Sequence, residues 1–227
     1  MLDLFPLLLS FKVATLATVI SLGLGVGIAW ILARRRFPGK DLLDALVTLP
    51  MVLPPTVLGY YLLVAIGRRG PLGSFLEGTF GVTLVFTWQA AVIAAAVASA
   101  PLLIKAARAA FEGVDRRVED AARTLGRSEL SIFFTITIPL AWRGIMAGTI
   151  LAFARALGDF GTTIMVAGNI PGKTQTMPIA VYDAVLGDNT PLANALVLIT
   201  TFTAVVVLIA LNRLERSAFR GNRDARS

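Results

Sequence analysis

The chain has no cysteine and no histidine, and only 15% of its 227 residues are charged. Each shortage excludes something. Without cysteine there is no disulfide framework. Without thiolate or imidazole, the usual zinc and iron ligands and the commonest nucleophiles and bases are gone. Carboxylates remain, but ordinary hydrolase or metalloenzyme chemistry has little to work with. The charge content is also too low to coat a water-facing surface, since a soluble domain carries about 25%. What fills the chain is apolar: 56% hydrophobic residues and a mean hydropathy of +0.76. Disorder requires the opposite balance. Composition therefore places residues 1–227 in a membrane as a single embedded unit.

A transmembrane helix needs about 20 mostly apolar residues. Such runs predict spans near 11–33, 45–66, 82–104, 138–160 and 191–211. The fourth is the least clean, because Arg143, Arg155 and Asp159 fall within or beside it. Sixteen of the 21 basic residues cluster in residues 34–44, in residues 105–143 and in the tail from Arg213. Cytoplasmic loops carry the Lys/Arg excess. Five spans, N-terminus outside and C-terminus inside, put all three clusters in the cytoplasm; an even number would not. The net charge of +7 is thus a topology signal. No interleaving of basic and aromatic residues points to nucleic acid. The first run has no basic segment before it and Arg34 to Arg36 after it. It reads as an uncleaved anchor, with residues 1–10 as a short interfacial helix or lead-in.

Three features stand out inside the spans. Span two holds Pro50, Pro54 and Pro55, which remove amide donors and kink a helix. This is either a packing kink or a broken helix lining a pathway, with Thr56 available to an anion. Gly23, Gly25 and Gly27 make a small-residue face on span one, read as a packing face. Arg155 and Asp159 are four apart, hence on one helix face. An intramembrane charge is expensive, so the pair reads first as a structural tie and second as a positive charge offered to a passing anion. Past span four, Asn169 to Gly172 is a turn by composition. Residues 177–186 form a short helix with Pro178 in its first turn, too short to cross a bilayer.

The hydrophilic stretch of residues 105–137 is the most informative. Asp115 is placed to cap a helix, Gly126 to stop it, Ser128 to cap a second over 129–135, and Pro139 to break that one before span four. The result is a compact knob, suited to a groove on a soluble partner or to lying on lipid headgroups. Glu119, Ala121, Ala122 and Gly126, followed by Ile138-Pro139, resemble the E-A-A, G and I-x-L-P signature of ABC importer permeases. The chain reads Glu-Asp-Ala-Ala, so the offset from Glu119 to Gly126 is one residue longer than in the simplest form. The resemblance extends through Leu49 to Tyr60 and through Leu151 to Gly161, with its Ala-Arg-Ala-Leu-Gly-Asp-Phe-Gly block. It also covers Asn169 to Thr176, whose Asn-Ile-Pro-Gly-Lys-Thr-Gln-Thr order is similar to the molybdate-type permeases. The match runs from about Lys12 to Leu211.

That resemblance implies an all-α membrane protein of the type I importer fold, with five transmembrane helices, six at most. It implies a homodimer, two copies of an ABC ATPase subunit docked on Glu119, Asp120, Ala121, Ala122, Leu125 and Gly126, and a solute-binding protein at the outer face. The cargo would be an oxyanion, molybdate before sulfate or tungstate. Thr56, Thr149, Arg155, Thr162 and Thr163 are candidates for the anion path, because hydroxyls and a guanidinium hydrogen-bond oxyanions. No G-x-x-x-x-G-K-[ST] occurs, so ATP and magnesium belong to the partner and no cofactor is expected here. Two rival classes are a channel or gradient-driven carrier, which would need no ATPase, and an intramembrane enzyme built on Asp159 and Arg155.

Overall fold

The computed structural model describes residues 3–224 as a bundle of helices. The first, α1 (Phe5–Arg34), takes Pro6 into its opening turn and ends on a basic residue, both favourable for a helix. Its 30 residues make it about 45 Å long. Of the two expectations for residues 1–10, a separate interfacial helix is not seen among the described residues; Phe5 to Ser10 lead into span one as part of α1. Nothing after Pro6 interrupts propagation, so the helix runs unbroken from Phe5 into the span. Among the described residues, four helices are long and apolar enough to cross a membrane: Phe5–Arg34, Trp88–Glu112, Glu129–Leu157 and Thr190–Leu211.

The fifth apolar segment is a bent pair, α2 (Lys40–Val52) and α3 (Pro55–Ile66). The axis turns by 118° where α2 gives way to the stretch from Pro55. A residue before proline is driven out of the helical region. Leu53 and Pro54, each followed by a proline, accordingly adopt extended ψ values of 139° and 137°. Pro55 then opens α3, where its missing donor costs nothing. Span two is therefore a broken helix and not a packing kink. Pro50 stays inside α2. That helix buries no residue of its own. Asp44 ties it to the bundle by accepting from Lys105 at 2.7 Å and pairing with Arg108 at 2.9 Å.

After α4 (Pro71–Phe80), helix α5 (Trp88–Glu112) starts on a Thr87 side-chain cap. It passes the expected end of span three because Lys105 to Glu112 is alanine-rich and contains no breaker. Helix α5 is the centre of the bundle, with 67% of its apolar window buried. It packs on α1 and on α8 (Ile138–Leu157). The α5–α8 contact relies on small residues. A Cβ added at Gly144 would lie 2.4 Å from Ala110 Cβ, and one at Gly148 would lie 2.8 Å from Ala106 Cβ. This small-xxx-small pairing lets the backbones approach closely. On α1, by contrast, only Gly25 packs, against Leu103 and Ile104, while Gly23 and Gly27 face open space. The expected glycine face is a single contact. Gly144→Ala should therefore destabilise the fold by the about 1–3 kcal/mol of an overpacked core, read as a lower melting temperature in detergent. Gly27→Ala, the same change on an open face, should leave stability unchanged or raise it by up to about 1 kcal/mol through helix preference.

Helices α6 (Arg116–Thr124) and α7 (Glu129–Ile132) form the knob. The predicted break at Pro139 is absent. A π-helical turn over Phe133–Thr137 carries α7 straight into α8, with the Ile138 amide donating to Phe133 O. The wider ring makes room for a proline in the first turn of α8, where an α-helical path would clash. The short α9 (Gly161–Ala167) follows α8 after a break at 158–160. Then come α10 (Met177–Leu186), as expected, and α11 (Thr190–Asp224). The apolar window of α11 is only 11% buried, so it lies at the edge of the bundle. Basic-tail side chains from Arg216 onward lie outside the described residues.

Candidate functional site

The knob is built by local chemistry. Asp115 accepts from the Arg117 amide at 2.9 Å and caps α6. Gly126 adopts φ +79°, and the Arg127 amide reaches back to Ala122 O at 3.1 Å. This C-terminal cap favours glycine, because a Cβ is strained at positive φ. Ser128 caps α7 by accepting from the Ser131 amide. Arg123 closes α6 onto α7, donating to both Glu129 oxygens at 2.6 and 3.1 Å and pairing with Asp120. The Glu129 hydrogen bond, the largest cause, raises the guanidinium pKa above its ordinary value.

Helix α6 has two faces. Val118, Ala121 and Leu125 share the outer one at i, i+3, i+7 spacing, and Leu125 is 83% exposed. Leu130 and Phe134, farther along the chain, are exposed apolar side chains as well. Asp120 and Gly126 are also exposed. Glu119 and Ala122 point inward, at 3% and 7% exposure. The Glu119 carboxylate accepts from Arg34 at 3.1 Å and from the Thr137 hydroxyl at 2.7 Å. Of the six residues expected in the docking loop, Glu119 and Ala122 thus lie on its inner face, and Asp120, Ala121, Leu125 and Gly126 on its outer face. A one-residue step on a helix turns a side chain by about 100°, which separates inward Glu119 from outward Asp120. A cavity of about 420 Å³ lies beside Glu119, walled by Trp30, Arg34, Arg35 and Arg116 on its basic side.

The second cluster lies at the α8–α9 break. Arg155 donates to Asp159 Oδ1 at 3.0 Å. Asp159 Oδ2 accepts from the Thr163 amide at 3.0 Å and the Thr163 hydroxyl at 2.7 Å. The aspartate side chain is 1% exposed and the arginine 33%. The carboxylate therefore staples the start of α9 to the last turn of α8 and offsets the arginine's charge. Gly161 meets the start of α3: an added Cβ would sit 2.8 Å from Pro55 Cβ. Both breaks, at Pro54–Pro55 and at 158–160, thus touch one another.

The five candidate path residues separate on this geometry. Thr56 is exposed at the start of α3, and Arg155 is partly exposed. Thr163 is fully engaged by Asp159. Thr149 donates to Ile145 O in its own helix at 2.8 Å. Thr162 is completely buried, and its hydroxyl has no hydrogen-bond partner among the described residues. Thr56 is exposed, Arg155 and Thr149 are partly exposed, and Thr162 and Thr163 are buried; of the partly exposed pair, Arg155 is the one that carries a charge.

Sequence reasoning missed several ties. Asp183 on α10 accepts from Asn169 at 2.7 Å and from Gln175 at 3.3 Å, fixing the 169–176 turn. Tyr182 meets Phe160 with ring centroids 5.0 Å apart. Ser10 Oγ accepts from the Met177 amide at 2.8 Å, joining α10 to α1. None of these pairs has a spacing that marks it, because the partners come together only in the fold.

The family of binding-protein-dependent transport system inner membrane components matches residues 23–220. The molybdenum transport system permease protein ModB of Escherichia coli K12 is 56% identical over 175 residues, covering 77% of this chain and 76% of that protein. A putative molybdenum transport system permease protein of Bacillus subtilis, YvgM, is 41% identical over 209 residues, 92% of each chain. Among solved structures, an inward-facing form of the MetNI methionine ABC transporter superposes with a TM-score of 0.71 at 16% identity, covering 93% of this chain and 94% of that one. At that identity the likeness speaks for the fold alone. With most of its length matched and close relatives across two thirds of it, this multi-pass chain belongs to the binding-protein-dependent transport system inner membrane components.

Proposed function

We propose that the chain is the permease subunit of an ATP-driven importer of molybdate, working as a homodimer with two ATPase subunits beneath it and a solute-binding protein above. The observation that carries the cargo is the 56% identity to the E. coli molybdenum permease. The ATPase reading is supported by the knob, an exposed apolar ridge on a rigid, twice-capped helix pair. Asp120, Ala121, Leu125 and Gly126 form its docking surface, and Ala122 is turned to the inner face.

Orientation follows from charge. Arg34 to Arg36, the knob and Arg213 lie at the cytoplasmic side, and the N-terminus is outside. The interfacial aromatics support the depth of α1 in the bilayer. Lys12 sits 3.6 Å over the Trp88 ring and Arg35 5.4 Å over Trp30. The two cations are 23 residues apart, about 34 Å along a helix, close to the about 30 Å hydrocarbon thickness.

The cycle is alternating access. ATP binding draws the ATPase pair together, the knobs carry that motion into the spans, and hydrolysis resets them. Thr56 and Arg155 lie where two broken helices touch on the chain's surface, so a second copy completes the path. There the guanidinium offers charge, and Asp159 keeps it from gripping the anion. Weak contacts suit a path whose affinity resides in the binding protein.

The test is co-expression with an ATPase and a binding protein from neighbouring reading frames, purification, and uptake into liposomes. The ATPase should co-purify, and molybdate uptake should require ATP, with tungstate competing. A chain that purifies alone and transports without ATP is a channel or carrier. Uptake of sulfate in preference to molybdate would overturn the cargo.

A further inference from the structure

We infer that Glu119 is a positioning residue: its buried carboxylate, held by Arg34 of α1 and Thr137 of the π turn, locks the docking helix to two spans at once, so that ATPase motion is delivered to the membrane and not absorbed by the knob. The inference rests on the docking reading of α6.

Only Glu119 and Ala122 of α6 are buried. An alanine contributes little apolar area, so hydrophobic packing does not seat this helix. The polar joint does. Arg34 donates to Glu119 Oε1 at 3.1 Å and to Val114 O at 3.0 Å. Thr137, 1% exposed, donates to the same Glu119 oxygen at 2.7 Å. The Arg34 and Glu119 side chains are 9% and 5% exposed. One carboxylate thus joins the last turn of α1, the docking helix and the root of α8. The covalent links on either side of α6 are short turns with glycine at 113 and 126, which transmit little torque by themselves. The π turn lies at the same point, and such turns recur at functional sites. A buried pair of this kind adds little net stability over an apolar pair, so its weight here falls on the geometry that it fixes.

The experiment uses the full complex with its ATPase. Thr137→Val removes one hydroxyl at nearly constant volume, and Thr137→Ser restores it. Glu119→Gln keeps the shape and removes the charge. Each variant is read by ATPase co-purification, ATP hydrolysis, and cargo transported per ATP hydrolysed. Co-purification and hydrolysis should persist within about twofold, while transport per ATP falls about tenfold in Glu119→Gln and severalfold in Thr137→Val, with recovery in Thr137→Ser. Unchanged transport per ATP in both Glu119→Gln and Thr137→Val overturns the inference. So does loss of the ATPase from both, which would make Glu119 part of the docking surface. If Glu119→Gln does not assemble, the Thr137 pair decides alone. A failure of the docking reading is separately visible: Leu125→Asp, on the outer face, would then still co-purify the ATPase.

Discussion

Asp159→Ala should melt well below the wild type and abolish transport. The substitution removes the acceptor of three hydrogen bonds, from Arg155 Nη1, the Thr163 amide and the Thr163 hydroxyl. It leaves Arg155 facing the bundle without its counter-charge and the start of α9 without its staple. Removing one partner of a buried ion pair costs about 3–5 kcal/mol. Arg155 keeps a third of its surface exposed, which reduces the expected loss to about 2–4 kcal/mol. Thermal unfolding in detergent measures it. Asp159→Asn keeps an acceptor for Thr163 and should fall between the two. The double variant Arg155→Gln with Asp159→Asn separates structure from transport. It removes both charges, so most of the stability should return. If Arg155 also presents charge to the anion, uptake stays low in that stable double variant. Wild-type melting of Asp159→Ala would refute the staple.

Leu125→Asp should leave the fold intact and remove the ATPase. Leu125 is 83% exposed in the free chain, so the change costs the permease itself within about 0.5 kcal/mol. On the proposed docking face the same side chain shares the apolar stripe of Val118 and Ala121. A carboxylate buried there without a partner forfeits a hot-spot contact, about 2 kcal/mol or more. That corresponds to at least about a thirtyfold weaker association. Co-purification should drop to background, and ATP-dependent uptake with it, while the melting temperature of the permease alone stays within about 2 °C. Retained co-purification would move the docking surface elsewhere.

The legible parts of this protein are the ones governed by neighbours in sequence. The caps at Asp115 and Ser128, the stop at Gly126 and the short helix opened by Pro178 all appear where local rules place them. The i, i+4 spacing of Arg155 and Asp159 predicted their contact. The inward turn of Glu119 was not legible, because its partners Arg34 and Thr137 are 85 and 18 residues away. The α6 pattern did hold one clue. Val118, Ala121 and Leu125 make an apolar stripe at helical spacing, and Glu119 falls off it. The glycines show the same limit. Gly23 to Gly27 and Gly144 to Gly148 carry the same small-xxx-small spacing, yet only the second pair meets a neighbour.

The sequence by itself determined that this is a membrane protein with most of its basic residues gathered in three clusters. Apolar runs of span length and charge clusters are additive properties, and they survive being read one residue at a time. It also carried the family, through the residues of the knob and the α8–α9 break. Only the tertiary structure decided how span two turns, which threonines reach the surface, and that Glu119 faces inward while Asp120 faces out. Those outcomes depend on which helices meet. A proline fixes that a helix breaks, but packing sets the 118° turn. A buried carboxylate is stable only where a distant arginine and hydroxyl arrive beside it, and no local spacing records that arrival.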